Sequence, residues 1–289
     1  MNKISIFTTM TNPEERMDPW EEALSCYEDF ADEVIVTGKD WPEKFTWDHI
    51  GKTFHEGFTK SSGDWVIRMD LDYFFHEKSI NKINSLFDQY SEYPAVCFPQ
   101  YQIFTPDRYQ IKTNLCIALN KKKFPNIVLN GGGDLCQPTI NGKQIKHTDI
   151  PFINVPIWQY DSSFRTKEVI AEDRARFARA WFRHFNDWSD RGGSTKEEAF
   201  EAWFKMVKER LPRHLKKVEL KEHPKFISSK LESLEEKQFG YDCFGLLDKY
   251  KPSKEVYPGY NVLIRKNQIN YSIEVIEIPK SRISPKLIY

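Results

Sequence analysis

The first hundred residues alternate short β-branched or aromatic runs with stretches of helical apolar periodicity, and few folds accept that alternation. Ile4-Ser5-Ile6-Phe7 reads as a strand, after which Met17, Trp20, Leu24 and Tyr27 recur at helical spacing. Val34-Ile35-Val36-Thr37 is a second strand closed by Gly38. Thr46 is placed to cap a helix whose buried stripe is Ile50, Phe54 and Phe58, and Ser61-Ser62-Gly63 stops it. A third strand, Trp65 to Met69, runs into Asp70-Leu71-Asp72. Ile80, Ile83, Leu86 or Phe87 and Tyr90 then mark a helix, and Ala95 to Phe98 a fourth strand. Short connections between alternating elements predict an α/β fold, a mixed and mainly parallel sheet with helices on both faces.

From Leu115 the pattern changes to short strands and turns: Leu115 to Leu119, Ile127 to Leu129, the Gly131-Gly132-Gly133 tract, the hairpin signal Asn141-Gly142, and Phe152 to Ile157. Residues 164–210 read as helices carrying Phe177, Trp181, Phe185, Trp203 and Phe204. Ser194-x-x-Glu197 and Thr195-x-x-Glu198 are overlapping capping boxes for the second helix, which Pro212 ends. The late stretches Tyr260 to Arg265 and Tyr271 to Ile278 are β-like. The expected organisation is a core over residues 1–160 and a mostly helical C-terminal extension over residues 161–289 packed on it.

Composition narrows the function classes. Forty-two basic residues balance 42 acidic ones, so no global field draws the chain to nucleic acid or anionic membrane. Five scattered cysteines, never in a C-x-x-C arrangement, support neither a disulfide framework nor zinc. With no leader-like segment and no long apolar run, the expected location is cytoplasmic, without a transmembrane segment.

The chemistry concentrates at one sheet edge. In open α/β sheets ligands bind outside the carboxyl ends of the strands. Thr8-Thr9-Met10-Thr11, Thr37-Gly38 and Asp70-Leu71-Asp72 all fall there. Residues i and i+2 of an extended chain point the same way, so Asp70 and Asp72 are expected to face one site, and their hard oxygens suit Mn²⁺ or Mg²⁺. A turn-capping role competes for a bare D-x-D pair. The glycine tract is no phosphate loop, because neither the Walker nor the dinucleotide pattern is present. His147, His184 and His223 are candidate third ligands, against a structural role for each. Arg165, Arg174 and Arg176 could clamp a diphosphate or simply face solvent. Lys121-Lys122-Lys123 reads as a solvated loop.

Lys3-Ile4-Ser5-Ile6, then Asp32-Glu33-Val34-Ile35-Val36, then Ser62-Gly63-Asp64-Trp65-Val66 leading to Asp70-Leu71-Asp72, resembles the nucleotide-sugar-binding half of family 2 glycosyltransferases of the GT-A fold. Their usual order is a short strand, a helix, "D-E-I-I-V", a helix, then "G-D-W-I-L-x-L-D-A-D". The match covers roughly residues 3 to 100. Two departures stand out. Thr37-Gly38-Lys39-Asp40-Trp41-Pro42 replaces the D-x-x-S-x-D-x-T pattern after the second strand, and Gln159-Tyr160-Asp161 stands where many relatives carry His-Tyr.

The resemblance implies transfer of a single sugar from a nucleoside-diphosphate sugar to a hydroxyl, with inversion and with Mn²⁺ or Mg²⁺ as cofactor. It implies that Asp72 and Asp70 hold the metal, and that Thr8, Thr9, Met10, Thr37, Asp40, Arg68 and Asp70 contact the donor. An inverting enzyme needs a carboxylate base. Asp134, behind the glycine tract, is the first candidate, with Asp149 and Asp161 as alternatives. The receiving hydroxyl belongs to a glycan, a lipid-linked molecule or another substrate; a modified DNA base stays open but is disfavoured by the neutral charge. The rival readings are a sugar-nucleotide pyrophosphorylase, which lacks support because no basic glycine-rich loop follows the first strand, and a non-catalytic binding or scaffold protein of the same fold.

Overall fold

The computed structural model describes residues 2–39, 41–131, 136–249, 260–266 and 273–279. In chain order the elements are β1 (Ile4–Thr9), α1 (Trp20–Phe30), β2 (Glu33–Thr37), α2 (Asp48–Lys60), β3 (Trp65–Arg68), β4 (Tyr73–Phe75), α3 (Ile80–Gln89), β5 (Ala95–Thr105) and β6 (Arg108–Asn120). There follow β7 (Ile127–Val128), β8 (Thr139–Ile140), β9 (Lys143–Gln144), β10 (Ile157–Gln159), α4 (Lys167–Phe185), α5 (Lys196–Arg210), β11 (Lys216–Lys217), α6 (Lys225–Glu232), α7 (Phe239–Asp242), α8 (Leu246–Lys249), β12 (Tyr260–Lys266) and β13 (Ile273–Pro279).

The fold is α/β with a mixed, mainly parallel central sheet, in the order β2-β1-β3-β6-β5-β10-β4, and β11 pairs with β6. β1 pairs in parallel with β2 and β3, and β10 with β5, while β6 and β4 run against their neighbours. Strand alternation explains why both faces are covered. Ile4, Ile6, Trp65, Ile67, Val96 and Phe98 belong to one buried cluster with Ala23, Tyr27 and Phe30 of α1. Phe7, Val66, Ala95 and Cys97 belong to the other, with Ile50, Phe54 and Phe58 of α2. α2 lies so close to β1 that a Cβ on Gly57 would come within 2.5 Å of the Phe7 ring, so glycine is required there. Residues beyond 160 share these cores: Phe164, Val218, Ile227 and Leu231 join the first, Ala180 the second.

Several local expectations are corrected. The fourth strand is far longer than Ala95 to Phe98 and returns through β6, which inserts antiparallel between β3 and β5; Pro99, which has no N–H to donate, sits at a register shift. Met17 is outside α1, in left-handed backbone at φ 54°, and the helix starts only after Pro19. The Thr46 hydroxyl donates to the Asp48 carboxylate at 2.5 Å instead of capping α2. Lys121 is no solvated loop residue: its Nζ donates to the carbonyls of Phe58, Thr59 and Ser61 at 2.5–2.8 Å, closing the C-terminal end of α2 where unpaired carbonyls collect. Of Phe152 to Ile157, only Ile157 enters β10. The Asn141-Gly142 hairpin forms with both residues at positive φ, 50° and 75°, joining β8 to β9. Thr195 and Glu198 close the capping box of α5, and β12 and β13 form an antiparallel pair.

Candidate active site

The Asp70-Leu71-Asp72 segment is a turn rather than an extended strand end. Tyr73 N donates to Asp70 O at 2.9 Å, joining β3 to β4. The Tyr27 hydroxyl, on α1, lies 2.6 Å from Asp70 O and 3.0 Å from Tyr73 O, and Tyr160 N donates to Asp72 O at 2.9 Å. Leu71 packs into the core and, with the two flanking aspartates, lines a cleft of about 580 Å³.

The cleft is a balanced arrangement of carboxylates and guanidinium groups. Asp72 Oδ2 accepts from Gln159 Nε2 at 3.4 Å, and Gln159 Oε1 accepts from Lys112 Nζ at 3.4 Å. Burial, then the negative charges of Asp70, Asp161 and Asp18, push the Asp72 carboxyl up to about 7 against the pull of Arg165. Asp161 goes the other way. Burial alone would raise it, but Arg174, Lys112, Arg165 and Arg210 outweigh that and hold it below the usual carboxylate range. Its oxygens take Gln102 Nε2 at 3.0 Å and Arg174 at 3.4 Å. Gln102 in turn is bonded by Gln110, and it stands in register with both Gln110 and Gln159, so one polar row crosses β6, β5 and β10.

Arg165 is 8% exposed and reaches Asp18 with one nitrogen and Asp173, at 3.0 Å, with another. Arg16 lies 3.3 Å from Asp18 and 3.4 Å from Asp173, closing a four-membered charge cluster that ties the loop before α1 to α4. With its partners so placed, Arg165 is a structural group of the cleft wall. Arg176 packs its guanidinium against the rings of Trp41, Phe45 and Phe177 at 5.4–5.8 Å. Arg174 and Arg68 line the cleft, the latter 3.3 Å from Asp70 and 4.6 Å over the Phe54 ring.

The remaining candidates divide sharply. Thr9 lines the cleft, but Thr8 and Thr37 do not: both are buried. Met10 packs its side chain on the first core cluster. Asp161 lines the cleft, whereas Asp149 is exposed in a short 3₁₀ turn outside it. Asp40 and Asp134 lie outside the described residues. None of the three histidines joins the aspartates. His147 is exposed, His184 faces Asp48 at 3.5 Å, and His223 is buried. His223 Nε2 is 2.8 Å from Pro106 O and so must donate, which leaves Nδ1 to accept from the Tyr160 hydroxyl at 2.9 Å. Burial holds it neutral.

The hard carboxylate donors of Asp70 and Asp72 suit a divalent cation, and burial together with the like charges of Asp70, Asp161 and Asp18 raises Asp72, a cost that a bound cation would offset. Among the described residues no group of three or more His, Cys, Asp or Glu side chains could hold a metal. Two protein ligands completed by substrate phosphates and water is the usual arrangement for Mg²⁺. Sequence reasoning passed over Asp18, Arg16, Gln102 and Gln159, which have no motif around them; the Gln159 position alone carried a signal, as the departure from His-Tyr.

No protein-family model matches this chain, and no curated protein does. Solved structures are similar at low identity. S. aureus TarS residues 1–349 is 11% identical over 95% of this chain and 98% of that one, at a TM-score of 0.36. The same fragment in complex with UDP gives 10% identity and 0.38 over the same shares. A glycosyltransferase involved in glycosylation of the major capsid of PBCV-1 is 16% identical over 41% of this chain and 60% of that one, at 0.25. At such scores the functional reading rests on the chain's own residues. Among those described, no helix is long and apolar enough to cross a membrane.

Proposed function

We propose that this chain is a glycosyltransferase of the GT-A type that moves one sugar from a nucleoside-diphosphate donor to a hydroxyl with inversion, using Mn²⁺ or Mg²⁺. The observation that carries the reading is the Asp70–Asp72 turn. It is pinned at the carboxyl edge of β3, opens into a large cleft, and holds one carboxyl raised first by burial and then by the like charges around it. Asp70 and Asp72 would hold the cation, which when bound offsets charge developing on the departing diphosphate. Thr9 and Arg68 flank the same edge and would contact the donor. Asp161, whose carboxyl Arg174 and Lys112 lower against the effect of burial and which Gln102 hydrogen-bonds, suits the orientation of a substrate hydroxyl better than its deprotonation, since an effective base titrates near the working pH. Asp134 is therefore kept as the proposed base. A cytoplasmic location is part of the proposal.

The test is a thermal-shift and calorimetric screen of UDP-, GDP- and dTDP-sugars with and without Mn²⁺. Metal-dependent stabilisation by one donor class, followed by sugar transfer or slow donor hydrolysis, supports the reading. No response to any donor with metal present would sink it.

A further inference from the structure

The wall of the cleft built by α5 offers hydrogen-bond donors that nothing among the described residues accepts. Ala199, Trp203, Met206 and Arg210 follow one another at spacings of four, three and four, so they form one stripe of α5, and all four line the cleft. Trp203 is 5% exposed, yet its indole Nε1 has no partner among the described residues. Leaving such a buried donor unmet costs about 1–3 kcal/mol, which a ligand oxygen would recover. Arg174 reaches across from α4 with its guanidinium carbon 5.6 Å from the Trp203 ring; one of its nitrogens faces Asp161 at 3.4 Å, while its buried Nε is unpaired among the described residues. The Arg210 guanidinium, in the last turn of α5, has no hydrogen bond or ion pair among the described residues.

Charge decides the class of ligand. Asp161 is already shared by Gln102 and Arg174, and Asp190 on the same rim is paired with Arg191 at 3.1 Å. A neutral sugar would satisfy the indole but leave guanidinium N–H groups without a charged acceptor. An oxyanion satisfies both, and arginine forks match its geometry. Met206 and Ala199 supply the apolar contact for a carbon skeleton.

We propose that the α5 wall seats the substrate that receives the sugar, and that this substrate carries an oxyanion, phosphate or carboxylate, close to its hydroxyls. The assignment of the bound molecule as receiving substrate rests on the donor reading above; the oxyanion site itself does not.

The experiment uses the tryptophan indole N–H resonances of the ¹⁵N-labelled full chain, with the Trp203 signal identified by its absence in Trp203→Phe. Glycerol 3-phosphate and glucuronate are the anionic probes, glycerol and glucose their neutral counterparts, each titrated with and without saturating UDP and Mn²⁺. At least one anionic probe is expected to shift the Trp203 signal in both conditions, and the pair separates phosphate from carboxylate. The neutral probes are expected to leave it in place. Arg210→Gln should weaken the anionic probe about tenfold while UDP affinity is unchanged. Silence from both anionic probes overturns the proposal, as does an equal shift from the neutral ones. Displacement of the probe by UDP also overturns it, because the arginines would then serve the donor. If none of the UDP-, GDP- and dTDP-sugars binds with Mn²⁺ present while an anionic probe still does, the oxyanion site is supported and the donor reading falls.

Discussion

The Tyr27 hydroxyl lies 2.6 Å from the backbone carbonyl of Asp70, and that contact couples a core helix to the aspartate turn. Tyr27 is 0% exposed, so its hydroxyl has no water to turn to, and the turn carbonyl has been given a fixed partner from beneath. Tyr27→Phe removes one hydrogen bond and retains the ring. It should lower stability by about 1 kcal/mol and loosen the turn, so that Mn²⁺-dependent nucleotide affinity falls more than the melting temperature suggests. Calorimetric titration beside a melting curve checks this; unchanged affinity would show that the turn holds its shape without Tyr27.

Asp72→Asn tests the cost of burying this charge among like charges directly. A carboxyl whose folded-state pKa is raised from 3.8 to about 7 is penalised progressively as pH rises through that window, and the penalty is complete above it. Removing the charge should stabilise the metal-free protein by about 2 kcal/mol at pH 8 and change little at pH 4. The same variant should lose Mn²⁺-dependent stabilisation by donor. Melting temperatures across pH, with and without metal, read both effects.

His214 is 4% exposed, stacks on Phe104 at 4.3 Å, and has no hydrogen-bond partner among the described residues for either ring nitrogen. Burial lowers its pKa from 6.5 to about 3, so between those values the unfolded chain takes up a proton that the folded protein refuses. Stability is therefore lost as pH falls below 6.5. His214→Phe preserves the stacking and should reduce the loss between pH 8 and pH 5 by about 2 kcal/mol, measured by urea unfolding at each pH. An identical acid slope in both proteins would contradict it.

Arg165→Met should be the most damaging of these changes, at about 3–5 kcal/mol, because Asp18 and Asp173 would be left buried with only Arg16 between them. Breaking the cluster also frees the loop before α1. Chemical denaturation gives the stability, and limited proteolysis between Asn12 and Pro19 reports the loop.

Much of the first hundred residues was legible because the signals are local. Strand alternation and helical stripes follow from which face of each element must be buried, and β1, β2, α2 and β3 lie where Ile4, Val34, Phe54 and Trp65 place them. The placement of β6 was not legible. Choosing between β3 and β5 as neighbours is a question of long-range pairing, which no short window of sequence records. The same holds for the candidate site: Asp149 and Asp161 look equivalent in sequence, but one ends in solvent and the other in the cleft.

By itself, the sequence determined an α/β chain with alternating elements and a pair of aspartates delivered at the end of its third strand, because burial demands act on each element separately. Only the tertiary structure decided what those aspartates face. Gln159 meets Asp72 across 87 positions, and Arg165 meets Asp18 across 147. The charge environment of a cleft is a sum over side chains that folding alone brings within a few ångströms, and at such distances in a partly dry site each neighbour changes what a carboxylate can do.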